Sequence, residues 1–350
     1  MDVFLAKIYQ WYSIYKRELP WRETHDPYKI WLSEIILQQT RVAQGREYYR
    51  NFIEKFKTIH ELASAKEDTV LKFWQGLGYY TRARNLHATA KFIVKNYDGK
   101  FPNKYEDILR LKGIGPYTAA AISSIAFNLP YPAIDGNIYR IFSRYFGIST
   151  PIDSGKGKKE VYEIAKNIMP IKNAGFHNQA LMDFGALQCV PKSPDCKICP
   201  VLESCFAAQN NLVDQLPVKQ QKTKQRTRYF YYYLLESPKH IILEKRKNKD
   251  IWENLYQLPL VESEKELEDI DFLENYNPFK DYGDATIKKI IGVKKHILSH
   301  QIIYARFVHI QTTNPIGISR EFIRVNKKDI YKFAVPKLIE KFFEEIKIDA

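Results

Sequence analysis

All four cysteines of this 350-residue chain stand together, at Cys189, Cys196, Cys199 and Cys205, in the spacing C-x6-C-x2-C-x5-C. Four thiols crowded into one short region, with cysteine used nowhere else, do not build a disulfide framework. They build a metal site, and the loops between them must fold around it. Zinc more often takes two CxxC knuckles, whereas an iron–sulfur cluster accepts four thiolates on uneven loops. The spacing favours the cluster and leaves zinc open.

Size and charge bound the rest. A mass of 41.2 kDa predicts about two domains, each able to bury a core. The first twenty residues carry Asp2, Lys7, Lys16, Arg17 and Glu18, and the chain has no run of about 18 apolar residues, so neither an export signal nor a membrane span is expected. A cytoplasmic protein follows, nucleoid-associated if the source is bacterial. The net charge of +14 is carried mostly by residues 1–217 and the short stretch 218–228, while 229–350 is nearly balanced. A basic half of this kind suits a polyanion, with nucleic acid the natural candidate.

Residues 1–17 alternate apolar and charged at helical spacing, and Leu19-Pro20-Trp21-Arg22 breaks the pattern. Asp26-Pro27 restarts it, with aspartate as N-cap and proline at the first helical position. The helix that follows is expected to carry Ile30 to Val42, and Glu34 is a carboxylate among its hydrophobes, costly unless it has a use or a partner. Trp74 to Leu86, WQGLGYYTRARNL, places Tyr79 and two arginines on a glycine turn, a combination that can wedge into a base stack and hold phosphates, though taken alone the stretch favours aromatic core packing. The basic stretch 218–228 lacks apolar period and is expected to be a linker. Beyond it strands dominate until PKLIEKFFEEIK, which has helical spacing.

Leu111 to Asp135 holds a glycine hairpin, Leu111-Lys112-Gly113-Ile114-Gly115, then an Ala-rich helix from about Pro116 to Ala126, then Asp135. Two glycines permit positive φ and let a phosphate approach backbone N–H groups at a helix start; an ordinary αα-hairpin capped by glycine is the alternative. Asp135 sits where an N-cap belongs, which favours its anion, while an apolar setting should raise the pKa of Glu34. Two carboxyls pushed apart in this way give one acid and one charge stabiliser.

The cysteine spacing, the LKGIG hairpin followed by IDGN, and the helix WLSEIILQQT stand in an order that resembles the helix-hairpin-helix DNA glycosylase superfamily. Within it, Glu34 in SE-x-x-LQQT and the C-terminal extension resemble the MutY-type adenine DNA glycosylases, over nearly the whole chain. The resemblance implies an all-α glycosylase domain over 1–217 with six-helix-barrel and iron–sulfur subdomains, the linker at 218–228, and an α+β Nudix-like domain over 229–350 that recognises 8-oxoguanine. It implies a 4Fe-4S cluster on the four cysteines. The implied substrate is double-stranded DNA containing A·8-oxoguanine or A·G, handled by a monomer with no membrane attachment.

By the same resemblance adenine is flipped out, protonated Glu34 donates to a ring nitrogen, and Asp135 faces the oxocarbenium-like sugar as stabiliser or transient nucleophile. Tyr117 and Asn137 orient the groups around it. Bifunctional relatives hold a lysine at position 117; Tyr117 cannot form a Schiff base, so base removal without strand cleavage is expected. Gly113 and Gly115 would offer N–H groups to phosphate, Gln39 and Tyr79 would lie beside the base opposite the target, and Trp21 and Arg22 would line the adenine pocket. Ser299 and His300 would read 8-oxoguanine. Leu298 departs from the phenylalanine familiar there, and no R-E-x-x-E-E pattern follows Pro259, so pyrophosphatase activity is not expected. A G·T mismatch thymine glycosylase and a non-catalytic iron–sulfur DNA-binding protein are the rival readings.

Overall fold

The structure, a computed structural model, describes residues 2–220, 225–247, 249–280, 282–313 and 322–348. The chain divides into two compact units, Met1–Ser64 with Asn85–Gln221, and Ala65–Arg84 with Lys222–Ala350.

Helices come first: α1 (Asp2–Tyr15), α2 (Pro27–Leu37), α3 (Val42–Lys55), α4 (Ile59–Ser64), α5 (Glu67–Trp74) and α6 (Thr81–Tyr97). They continue with α7 (Tyr105–Leu109), α8 (Pro116–Phe127), α9 (Gly136–Phe146), α10 (Gly155–Asn167), α11 (Ala174–Asp183) and α12 (Phe206–Gln209). Except for α5 and the first turn of α6, these belong to the first unit. Asp26 caps α2 by accepting from the Tyr28 N–H at 2.9 Å, with Pro27 behind it, as the sequence predicts. The helix then stops at Leu37 instead of running to Val42. Thr40 N–H closes a turn onto the Leu37 carbonyl at 3.1 Å and Gln39 takes a left-handed φ of 55°. The apolar spacing continues through this break because Val42 opens α3, which is why pattern alone does not reveal it.

One core joins Phe4 and Ile8 of α1 to Ile141 and Phe142 of α9, Val161 of α10 and Leu181 of α11. A second, smaller one gathers Ala120 and Ala121 of α8 with Ala133 and Met182. Small side chains on α8 bring it into contact with both α2 and α11.

The second unit is built on a seven-stranded sheet: β1 (Arg226–Glu236), β2 (His240–Lys245), β3 (Tyr256–Gln257), β4 (Leu260–Ser263), β5 (Thr286–Ile297), β6 (Gln301–Gln311) and β7 (Phe322–Asn326). Its order is β3-β2-β1-β6-β5, with β4 on β1 and β7 on β2. β1 and β6 pair in parallel, and the run RYFYYYLLE is buried on both faces, as a central strand should be. Tyr231 and Tyr233 pack with Phe272 and Val308; on the other face Tyr232 stacks on Phe307, which stacks on Phe342 of α13 (Lys337–Ile346).

Little of the expected linker is a plain tether. Ile152 N–H donates to the Val218 carbonyl at 3.0 Å, Gln220 N–H donates to Asp153, and β1 already begins at Arg226. Residues 221–224 of that stretch lie outside the described residues.

Candidate active site and DNA-facing surfaces

In the first unit α2, α8, the start of α9 and α11 surround a cavity of about 300 Å³. It gathers Trp21, Arg22, Glu34, Tyr117, Asp135 and Asn137, six side chains that the sequence spreads over more than a hundred residues. Glu34 is 8% exposed. Burial raises its carboxyl to about 7; a hydrogen bond with Tyr117 opposes the shift, the Asp135 charge adds to it, and Arg22 pulls it back. Burial also drives the Tyr117 hydroxyl well above its ordinary value, with the two carboxylates adding to the effect.

Asp135 caps α9. Its Oδ1 accepts from the N–H groups of Asn137 and Ile138, both at 2.9 Å, and its Oδ2 accepts from Asn137 Nδ2 at 2.6 Å. The N-cap position leads the sequence to expect an anion at neutral pH, and these bonds favour it. The pKa nevertheless moves upward, because burial outweighs the hydrogen bonds from Ile138 and Asn137 and the charge of Arg140. Asn137 is held in turn: its Oδ1 accepts from Arg140 Nη2 at 2.8 Å, and Arg140 also donates to the carbonyls of Gly185 at 2.6 Å and Cys189 at 2.7 Å.

Arg22 owes its position to a residue that sequence reasoning missed. Asp183 is fully buried and accepts a fork of two bonds from Arg22, at 2.5 and 2.6 Å, with two more from the Arg17 backbone N–H at 2.9 Å and Nε at 2.7 Å. Burial pushes this carboxyl up, but the arginine hydrogen bonds and charges prevail and hold it below the ordinary range. The available signal was the one that exposed Glu34, an acid inside an apolar helical run, here ALMDFGAL. Trp21 lines the same cavity and packs edge-on to Tyr49, so it serves core and pocket together.

The hairpin turns as expected at Gly113, where φ is +82°, and Ile114 N–H closes onto the Leu111 carbonyl at 3.1 Å. Gly115 differs from expectation. It is the N-cap of α8 with φ −98°, a conformation open to any residue. Both glycines are exposed. Gln39 is exposed on the turn after α2 and lines neither this cavity nor the next.

Within the second unit another cavity, of about 450 Å³, is lined by Tyr79, Tyr80, Trp252, Leu298, Ser299 and His300 among others. Leu298 to His300 form the tip between β5 and β6. Tyr79 donates its hydroxyl to Ser299 Oγ at 2.8 Å, and Ser299 Oγ lies 3.1 Å from His300 Nδ1. Tyr79 itself has φ 45° on the turn opened by Gly76 and Gly78.

The four cysteines line one apolar cavity with Ile141, Phe184, Val201 and Leu202. Among the described residues no three His, Cys, Asp or Glu side chains converge on a point able to hold a single metal ion. Burial pushes the Cys199 thiol up to about 11 and moves Cys196 and Cys205 the same way, with repulsion between neighbouring sulfurs contributing. Four sulfurs around a shared apolar space fit a polynuclear cationic group. Buried Arg144 frames the space, donating to Cys189 Sγ at 3.4 Å and to the carbonyls of Val190, Pro191, Val213 and Leu216.

Residues 32–170 match the family described as HhH-GPD superfamily base excision DNA repair protein, and residues 230–345 match a NUDIX domain. The adenine DNA glycosylase of Buchnera aphidicola subsp. Baizongia pistaciae (strain Bp) is 38% identical over 342 residues, covering 96% of this chain and 93% of that one. Its counterpart in Buchnera aphidicola subsp. Schizaphis graminum (strain Sg) is 33% identical over 350 residues and 99% of both chains. A solved thermostable thymine-DNA glycosylase is 30% identical with a TM-score of 0.56, but that likeness covers 60% of this chain and 96% of the other.

Proposed function

The chain belongs to the adenine DNA glycosylases, and from that membership we propose that it removes adenine mispaired with 8-oxoguanine or guanine from duplex DNA, leaving an abasic site uncut. The observation that carries the reading is the meeting of Glu34, Tyr117 and Asp135 at one cavity. With a pKa of about 7, Glu34 keeps much of its proton at neutral pH and can give it to a ring nitrogen of an extruded adenine. The glycosidic electron pair leaves with the base. Positive charge then develops on the sugar, where the Asp135 carboxylate, held by three hydrogen bonds, is placed to face it. Water completes the hydrolysis. Tyr117 offers no amine, so no Schiff base forms and the backbone stays intact.

Supporting roles follow from position. On this reading Trp21 and Arg22 would border the adenine, the exposed glycines Gly113 and Gly115 would offer N–H groups to phosphate, and Gln39 and Tyr79 would each contact DNA near the base opposite the target. Ser299 and His300 would read 8-oxoguanine from the tip between β5 and β6. Cys189, Cys196, Cys199 and Cys205 would hold a 4Fe-4S cluster, whose contribution when bound is a covalent tie across the loops that follow α11.

The thymine-DNA glycosylase likeness supports a second reading, a G·T mismatch enzyme, but it covers 60% of the chain where the adenine relatives cover 96% and 99%. Single-turnover assays on duplexes with A·8-oxoguanine, A·G, T·G and thymine glycol separate the two. Adenine release from the first two is expected, and its absence from A·8-oxoguanine refutes the proposal.

A further inference from the structure

The segment that delivers Asp135 to the cavity, Leu129 to Ile134, has neither helix nor strand to hold it. Pro130 and Pro132 bring no N–H groups, and the Tyr131 N–H is spent locally on the Leu129 carbonyl at 2.8 Å. The N–H of fully buried Ala133 needs a partner away from water, and the part-buried Tyr131 carbonyl beside it has no partner within the segment's own backbone bonds. One side chain supplies both. Asn178 of α11, itself fully buried, accepts from Ala133 N–H at 3.1 Å through Oδ1 and donates through Nδ2 to the Tyr131 carbonyl at 2.9 Å. The same Nδ2 donates to Ser124 Oγ on α8 at 2.8 Å. Asn178 thus uses acceptor and donors to join three pieces: α11, the Asp135 segment, and the helix that carries Tyr117.

Resting on the functional reading above, we propose that Asn178 is a positioning residue for base excision: it sets the place of Asp135 relative to Tyr117 and Glu34. A hydrophobic residue of similar size would fill the space yet leave the buried Ala133 N–H and the part-buried Tyr131 carbonyl unpaired, and the segment would shift to find partners. Because Asp135 follows Ala133 by two residues, such a shift moves the carboxylate that faces the sugar.

The test uses the full chain and an A·G duplex. Asn178→Ala is expected to slow single-turnover adenine release by about 10²-fold, the scale on which roughly 1 Å of misplacement costs rate, while duplex affinity stays within about threefold. Val161→Ala, in the other core of the same unit, serves as a control that lowers melting temperature without touching the segment. If the two variants, matched for melting temperature, release adenine at equal rates, Asn178 is only structural and the assignment falls. Asn178→Asp keeps the volume and gives a second readout that survives poor folding of the alanine variant. A buried aspartate there has a raised pKa and, once protonated, can accept from Ala133 and donate to Tyr131. Its rate relative to the unmodified enzyme should therefore climb as pH falls, and a flat ratio overturns the proposal. Failure of the unmodified enzyme to release any adenine refutes the functional reading first and this assignment with it.

Discussion

Buried Glu34 and half-buried Asp135 are both carboxyls moved upward by desolvation, yet Asp135 has three hydrogen bonds to its anion. In the proposed mechanism that difference makes Glu34 the acid. Single-turnover release should decline as pH rises through about 7, where Glu34 loses its proton. The stability sign runs the same way. A folded-state pKa above the ordinary carboxyl value means that the native state is penalised as pH climbs from that value through about 7, by on the order of 3 kcal/mol once complete. Glu34→Gln should abolish base release, keep duplex affinity within a few fold, and melt higher than the unmodified protein above pH 7 but not in acid; equal loss of binding and catalysis would make Glu34 structural. The hairpin glycines separate as well. A Cβ on Gly113 would meet Asn85 Cβ at 2.8 Å at a φ of +82°, so Gly113→Ala should cost about 1–3 kcal/mol of stability. At Gly115 a Cβ meets nothing within 4 Å. Gly115→Ala should therefore melt normally and lose affinity for duplex, and unchanged affinity would remove this glycine from the DNA contact.

Elements were legible in the sequence where period and caps agreed. Asp26-Pro27 marks the start of α2, the alanine run marks α8, Asp135 marks α9, and the aromatic run marks β1. The end of α2 was not legible, since Leu37 and Val42 keep the apolar rhythm across a turn that contains no glycine or proline. Asp183 stands in an apolar run as Glu34 does, but its pairing with Arg17 and Arg22, like that of Asn178 with Ser124 and Tyr131, is encoded in no local pattern. The tip between β5 and β6 offers a test at this scale. Ser299 Oγ is shared between the Tyr79 hydroxyl and His300, so Ser299→Ala removes a link on each side. It should shrink the preference for A·8-oxoguanine over A·G by about 5–10-fold, as the loss of a hydrogen bond worth about 1 kcal/mol predicts, and leave A·G cleavage nearly unchanged. An unaltered preference would unseat the tip as the lesion reader.

At the scale of the molecule, the four cysteines line one cavity, and the purified protein is expected to be brown with absorbance near roughly 400 nm. Zinc in stoichiometric amount would refute the cluster. The two-unit division carries a consequence for synthesis. Ala65–Arg84 leaves the ribosome early, but the groups it bonds are made last: Glu67 and Asp68 meet Asn254, Lys245 and Tyr256, and Gln75 meets Val335 and Glu340. A nascent chain must hold this segment waiting, with the Gln75 bonds unmade, until residues beyond 330 emerge. A truncated gene ending near residue 221 never supplies those partners. An inactive fragment would therefore report an unfinished Ala65–Arg84 as readily as a missing lesion reader, and single substitutions in the intact chain are the cleaner instrument.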